Sequence, residues 1–268
     1  MKPDSRFLDK CPRFWSNVKF SSEQAGYSKR GSGSLRTYTK TDLEDVYRRE
    51  AITLPQDHLL EEVLMYINWR AHTLNTTIAP LFMNRAEAEL AFQEVRENTK
   101  PTKALPMNKQ KGIKRHHAYL ACLVAMIAES ILGPNGFIDD ARRLSVLTSK
   151  DGLEGIFSRR FDGAIPDTRD PKAVWEIKEY YGTTTFGSRV ADGVYETLLD
   201  GYEIELAEKN LGVRIKHFLF IDDRFTWWDC GRSYLCRMID MLHTRHVDQI
   251  FFGREVLSEW EVTLRGLS

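Results

Sequence analysis

The spacing of apolar residues predicts helices in the first part of the chain. Apolar residues recur at helical spacing over residues 56–75 and again over 84–98, where Leu90, Phe92 and Val95 are expected to face inward. These segments predict a mostly helical N-terminal region over residues 1–110.

The first 41 residues lack helical periodicity and are predicted to be irregular. Thr41 is followed three residues later by Glu44, which is the spacing of a capping box. The first helix is therefore expected to begin at Thr41.

Residues 111–268 have a different pattern. Residues 118–132 form an almost wholly apolar segment of helical length, which Gly133 is expected to end. The segments that follow are predicted as strands 158–165 and 173–180, helix 187–209, strand 213–221, helix 234–244, strand 248–252 and helix 254–264. This order predicts an α/β fold with a mixed sheet flanked by helices.

Composition narrows the class of protein. The chain has 268 residues, of which 42% are hydrophobic and 28% are charged, so it is expected to fold as one large domain or two small ones. Its 38 basic and 38 acidic residues cancel, so binding to nucleic acid would depend on local patches. Four cysteines without metal-binding spacing, no secretory signal and no membrane-spanning apolar run together favour a cytoplasmic location.

Two charged residues interrupt the apolar strand at 173–180. Alternation along a strand places Glu176 and Lys178 on one face. If the hairpin turns at Arg169, Asp162 lies opposite Glu176, with the Cβ atoms about 5 Å apart. Two facing carboxylates repel each other, and Mg²⁺ would remove that cost while the Lys178 ammonium orients a water molecule. The pattern therefore predicts metal-assisted hydrolysis of a phosphodiester.

The Pro166-Asp167 pair offers an alternative first carboxylate. On the same register Asp167 lies in the turn, some way from Glu176. A bulge in the hairpin would shift the pairing by one residue.

The motif itself resembles that of a known family. Asp162-Gly163, a short gap and then Trp-Glu-Ile-Lys ending at Lys178 resemble the PD-(D/E)XK nuclease superfamily, which has the restriction-endonuclease-like fold, over residues 113–252. The resemblance implies a metal held by Asp162, Glu176 and the backbone carbonyl of Ile177, with Lys178 as the catalytic lysine. Mg²⁺ is the expected ion, and Mn²⁺ is expected to substitute for it.

Two positions bear on how far the resemblance extends. Glu129 is the one charged residue in the apolar helix over 118–132, and it matches an additional glutamate that many members carry in the active site. Phe161 stands where the family usually has proline before the aspartate.

Two basic segments, residues 27–40 and 100–117, contain no acidic residue. Such segments are usually solvated surface, but flexible basic loops also follow phosphates and reach guanine edges. The candidate DNA-binding residues are Lys29, Arg30, Arg36, Lys109, Lys111, Lys114 and Arg115.

These observations predict a Mg²⁺-dependent endonuclease that cuts double-stranded DNA, with a sequence-specific type II restriction enzyme as the first expectation. Residues 1–110 would recognise DNA and contribute dimer contacts, and residues 111–268 would form the catalytic core of a homodimer. The alternatives are a repair, recombination or mobile-element nuclease of the same fold, or a non-catalytic DNA-binding protein.

Overall fold

The computed structural model describes residues 1–28, 31–108, 112, 115–181 and 187–267. Three helices dominate its first part: α1 (Pro12–Ala25), α2 (Lys40–Arg49) and α3 (Asp57–Thr73), which continues into a π-helical turn at Leu74–Ile78. They pack around a largely aromatic core that includes Phe7, Phe14, Tyr47 and Tyr66. The prediction that residues 1–41 are irregular was wrong for α1, which begins with a proline and ends before Gly26.

The capping box of α2 lies two residues before the predicted position. The Thr39 side chain accepts a hydrogen bond from the Asp42 amide, and the Asp42 carboxylate accepts one from the Thr39 amide at 2.7 Å. The periodic helix over 84–98 is confirmed as α4 (Arg85–Thr99), but Leu90 is 66% exposed and does not face inward. Ala88, Ala91 and Phe92 form its buried side.

The remaining helices are α5 (Tyr119–Leu132), α6 (Ser188–Leu211), α7 (Arg232–His243) and α8 (Glu255–Arg265). The strands are β1 (Ile138–Asp139), β2 (Val146–Ser149), β3 (Gly152–Ile156), β4 (Gly163–Ile165), β5 (Ala173–Glu179), β6 (Lys216–Asp222) and β7 (Gln249–Phe252). The predicted strand over 158–165 is therefore much shorter than expected, and β1 to β3 were not predicted.

A mixed five-stranded sheet lies at the centre of the fold, in the order β1-β4-β5-β6-β7. The pairs β1–β4 and β4–β5 are antiparallel, whereas β5–β6 and β6–β7 are parallel. Strands β2 and β3 form a separate hairpin. The predicted α/β class with a mixed sheet is confirmed.

Helices cover both faces of the sheet. On one face, α4, α5 and α8 pack together and bury Trp175, Phe218 and Phe220. On the other face, α6 and α7 bury Leu219 and Ile221. This packing follows from strand alternation, because neighbouring residues of β5 and β6 point to opposite faces.

A buried ion pair joins the N-terminal helices to α7. Arg70 donates to Asp240 at 2.6 Å, and the Tyr66 hydroxyl donates to the same carboxylate at 2.7 Å. Among the described ranges, none of the helices combines the length and the apolar character needed to span a bilayer.

Candidate active site

The β4–β5 hairpin has the register that the sequence predicts. Gly163 pairs with Trp175, Ala164 with Val174, and Ile165 with Ala173. One step further, the Asp162 amide donates to the Trp175 carbonyl at 3.0 Å, and Asp162 Oδ2 accepts from the Ile177 amide at 2.7 Å. The exposed Asp162 carboxylate therefore lies at the end of β4, beside Glu176.

Gly163 makes this arrangement possible. A Cβ atom at this position would lie 2.0 Å from the Trp175 ring. Without a side chain at residue 163, the indole packs directly over the backbone of β4. The Asp-Gly sequence thus lets Asp162 approach β5 while Trp175 stays in the core.

Glu176 and Lys178 are buried, not exposed on an edge. Lys178 Nζ donates to Glu176 Oε2 at 2.9 Å, and the two residues are 2% and 7% exposed. Both side chains point to the face of the sheet that α6 covers. Glu176 and Lys178 therefore do not form a ladder of charges on the protein surface.

Three further charged residues complete the site. Arg159 Nη1 lies 2.6 Å from Asp200 Oδ2. Arg159 Nη2 lies 3.0 Å from Glu196 Oε2 and 3.7 Å from Glu176 Oε2. Lys178 Nζ also donates to Glu196 at 3.2 Å. We call this group, with Asp162 at its edge, the ion-pair cluster: Arg159, Asp162, Glu176, Lys178, Glu196 and Asp200.

Sequence reasoning missed Arg159, Glu196 and Asp200. A signal for Asp200 was present, because it lies on the apolar side of α6 with Val190, Val194, Thr197 and Ile204, where a charge is rare. Gly193 lets this helix approach closely, since a Cβ atom there would be 3.3 Å from Lys178 Cδ.

The electrostatics of the ion-pair cluster favour a bound cation. Burial and the charge of Glu176 raise the pKa of Asp200 to about 7. Burial alone would lower the pKa of Lys178, but Glu176, Asp162 and Glu196 outweigh it and raise that pKa, so Lys178 stays an ammonium. When every group is ionised, the cluster has four carboxylates and two cations, which leaves two negative charges in excess. The two positive charges of a divalent cation would balance them.

Two buried carboxylate oxygens in the cluster, Glu176 Oε1 and Asp200 Oδ1, accept no hydrogen bond from any residue that the structure describes. Buried polar atoms are nearly always paired, so such oxygens indicate a place for a ligand. Within the described ranges no three His, Cys, Asp or Glu side chains converge as a ready metal cage. Mg²⁺ needs only one or two protein carboxylates, so the residues fit a Mg²⁺ site.

The structure does not bring Glu129 to this cluster. Its carboxylate accepts hydrogen bonds from Thr102 and from the Lys103 amide, and α5 packs on the face of the sheet opposite Glu176. Burial opposes the charged form, but these hydrogen bonds lower the pKa of Glu129. Glu129 therefore connects the 102–103 loop to α5, and the structure does not place it beside Glu176.

Asp167 also lies away from Glu176. Its carboxylate accepts hydrogen bonds from the Thr168 amide at 2.5 Å and from Arg143 at 3.0 Å, within the turn of the hairpin. The hydroxyl and amide of Thr168 lower its pKa. With the unshifted register of β4 and β5, Asp162 and not Asp167 lies opposite Glu176.

Of the predicted DNA-binding residues, the structure describes Arg36 and Arg115. Arg36 donates to Asp42 at 2.6 Å and lies over the Tyr38 ring, so its charge is paired within the chain. Arg115 is exposed. Lys29, Arg30, Lys109, Lys111 and Lys114 lie outside the described residues.

Comparison with known proteins identifies the family to which the chain belongs. Residues 83–267, more than half of the chain, match the family model described as Domain of unknown function (DUF7687). The chain belongs to the DUF7687 family. Residues 1–77 match a second model, Domain of unknown function (DUF7690). No curated protein and no solved structure matches the chain.

The ion-pair cluster lies wholly within the DUF7687 match, and Arg36 lies within the DUF7690 match. The two matches meet between residues 77 and 83. The packing agrees with that division, because α4 joins the core of the sheet in the DUF7687 part while α1 to α3 share their own core.

Proposed function

We propose that this protein is a Mg²⁺-dependent endonuclease that cuts double-stranded DNA, with a restriction-endonuclease-like core. One observation carries the proposal: Asp162 and Glu176 lie side by side on the confirmed hairpin register, and a buried Lys178 ammonium adjoins them. A sequence-specific type II restriction enzyme is the form of this activity that we favour, acting in the cytoplasm.

Asp162 and Glu176 would hold the metal. The N–H and C=O groups of one strand residue point to the same edge, so the Ile177 carbonyl faces the side on which its amide meets Asp162. When bound, Mg²⁺ would neutralise phosphate charge and lower the pKa of a water ligand, and Mn²⁺ would act in the same way.

The other residues of the ion-pair cluster would arrange the charges. Lys178 keeps its proton, so it would orient the attacking water and stabilise the charge that develops on the phosphate. Arg159 and Glu196 hold the Lys178–Glu176 pair between α6 and the sheet. The exposed basic residues, Arg115 among those described, would contact the DNA backbone.

Nicking of supercoiled plasmid tests the proposal. Wild-type protein should nick with Mg²⁺ and not with EDTA. Glu176→Gln should lower the rate by at least about 10³-fold, because it removes a charge that would hold the metal. Glu203→Gln is the matched control, since this α6 glutamate bonds to Ser158 outside the cluster and should leave the rate near wild type.

A second readout separates metal binding from cleavage. Mg²⁺ should raise the melting temperature of wild type and of Glu203→Gln, but not that of Glu176→Gln. Binding of duplex DNA without any Mg²⁺-dependent nicking would contradict the proposal and favour a non-catalytic DNA-binding protein. With a defined linear DNA, discrete fragments would support a restriction enzyme, and a smear would indicate a nuclease without sequence specificity.

A further inference from the structure

The outer side of α6 carries a continuous apolar stripe. Tyr195, Leu199, Tyr202 and Leu206 are 57%, 46%, 54% and 59% exposed. They follow one another at steps of four, three and four residues, so they form one row on the side of the helix opposite its buried face. Single exposed apolar residues are ordinary, but a row about 17 Å long is typical of a contact surface.

The two tyrosines of the stripe are already held in place. The Tyr202 ring packs edge-on against His246, with 4.3 Å between the ring centroids, and the Tyr195 hydroxyl accepts from Arg237 at 3.4 Å. Ordering side chains before binding lowers the entropy cost of association. The two tyrosine side chains of the stripe are therefore ordered before any partner binds.

Charges at the two ends of the stripe indicate what covers it. Asp192 lies three residues before Tyr195, and Lys209 lies three residues after Leu206, so both continue the same row and both are exposed. If a second α6 packs antiparallel, Asp192 of each copy meets Lys209 of the other. In a parallel pair, each of these charges would instead face its own counterpart.

The same two-fold arrangement matches the apolar residues. Tyr195 would lie against Leu206, and Leu199 against Tyr202, with the symmetry axis between them. Glu196 and Glu203 flank the row on one side, and contacts within the chain hold both: Glu196 by Arg159 and Lys178, Glu203 by Ser158. The charge of Glu196 is therefore compensated within the chain, and the Glu203 carboxylate is held by neutral donors.

We infer that α6 is the contact surface between two antiparallel copies of this chain. About half of each of the four side chains is available, which gives roughly 600–800 Å² of buried area over both copies. Stable interfaces usually bury about 1,200–2,000 Å², so this dimer is weak and depends on concentration. Since Asp200 lies on the inner side of α6 and Glu196 on its flank, the helix pair would connect the ion-pair clusters of the two copies.

Sedimentation velocity of the intact chain, from about 1 µM to about 200 µM, tests this interface. The wild type should change from monomer to dimer over that range. Leu199→Glu should stay monomeric throughout, because it places a charge at the centre of the stripe. Leu90→Glu, at a leucine on α4 that is 66% exposed, is the matched control and should dimerise like the wild type.

Charge exchange tests the antiparallel pairing. Asp192→Lys alone, or Lys209→Asp alone, places like charges at both ends and should weaken the dimer about tenfold. The double variant Asp192→Lys/Lys209→Asp should recover the wild-type dissociation constant. A wild type that is monomeric at every concentration, a Leu199→Glu variant that dimerises normally, or a double variant that does not recover would each overturn the inference. None of these measurements depends on nuclease activity.

Discussion

The two faces of β5 bury carboxylates in different surroundings. On the α6 face, Glu176 lies among cations, with Lys178 at 2.9 Å and Arg159 at 3.7 Å. One of its oxygens accepts no hydrogen bond within the described part of the chain. On the α5 face, Glu179 and its neighbour on β6, Asp222, meet backbone amides and a tyrosine hydroxyl. We call Glu179 and Asp222 the capping pair.

The capping pair stabilises the fold through hydrogen bonds to backbone amides. Glu179 accepts from the Ala121 amide at 3.2 Å, at the start of α5, a helix that has no side-chain cap of its own. Asp222 accepts from the Met83 amide at 2.9 Å, just before α4. Burial raises the pKa of Glu179 to about 8 and that of Asp222 to about 7. These carboxyls lie among neutral donors, whereas Glu176 lies among charges.

The difference shows that burial alone does not identify an active site. Glu176 and Glu179 lie on the same strand, and both are at least partly buried. Unlike the capping pair, the ion-pair cluster combines cations, an exposed carboxylate at its edge and carboxylate oxygens that accept no hydrogen bond from the described residues. Three predictions test this distinction, and they follow in order of expected effect.

The largest effect is expected at Asp162. Asp162→Asn should lower the rate of Mg²⁺-dependent nicking by about 10³-fold, equivalent to about 4 kcal/mol, because a neutral amide is a poor ligand for Mg²⁺. Asp167→Asn should stay within about twofold of wild type, since that carboxylate bonds within the turn. If Asp167→Asn is the inactive variant, the assignment of the first carboxylate to Asp162 is wrong.

A change in the capping pair should affect stability and not cleavage. Glu179→Ala leaves amides at the start of α5 without their acceptor, so urea unfolding should show a loss of about 2–3 kcal/mol. Glu179→Gln keeps a carbonyl oxygen and resembles the protonated acid, so the loss should be smaller. A folded Glu179→Gln variant that has lost nicking would place the capping pair in the active site.

The smallest effect, taken over one pH unit, is a pH dependence at Asp200. The folded state holds this proton up to about pH 7, whereas the ordinary pKa is 3.8, so the wild type loses free energy of unfolding as the pH rises between these values. Asparagine at position 200 does not titrate. As the pH rises over this range, the free energy of unfolding of Asp200→Asn relative to wild type should therefore increase by up to about 1.4 kcal/mol per pH unit.

Thermal unfolding of both proteins from pH 4 to pH 8 measures this slope. A difference between Asp200→Asn and wild type that does not change with pH would mean that Asp200 is already ionised at low pH in the folded protein.

The sequence by itself determined the local features of this protein. The length of α5, the alternation along β5 and the pairing of Ile165 with Ala173 all follow from contacts between residues close in the chain. A hairpin register depends on one turn and on the two-residue period of its strands, so the pairing of Asp162 with Glu176 could be predicted from the sequence.

Only the tertiary structure decided what faces these residues. A helical period shows that α5 and α6 have apolar sides, but not which face of the sheet each covers. Glu129 therefore matched an active-site glutamate by sequence, although it lies across the sheet from Glu176. Arg159, Glu196 and Asp200 join the cluster because α6 packs back over β5, and such packing depends on contacts that local sequence patterns do not encode.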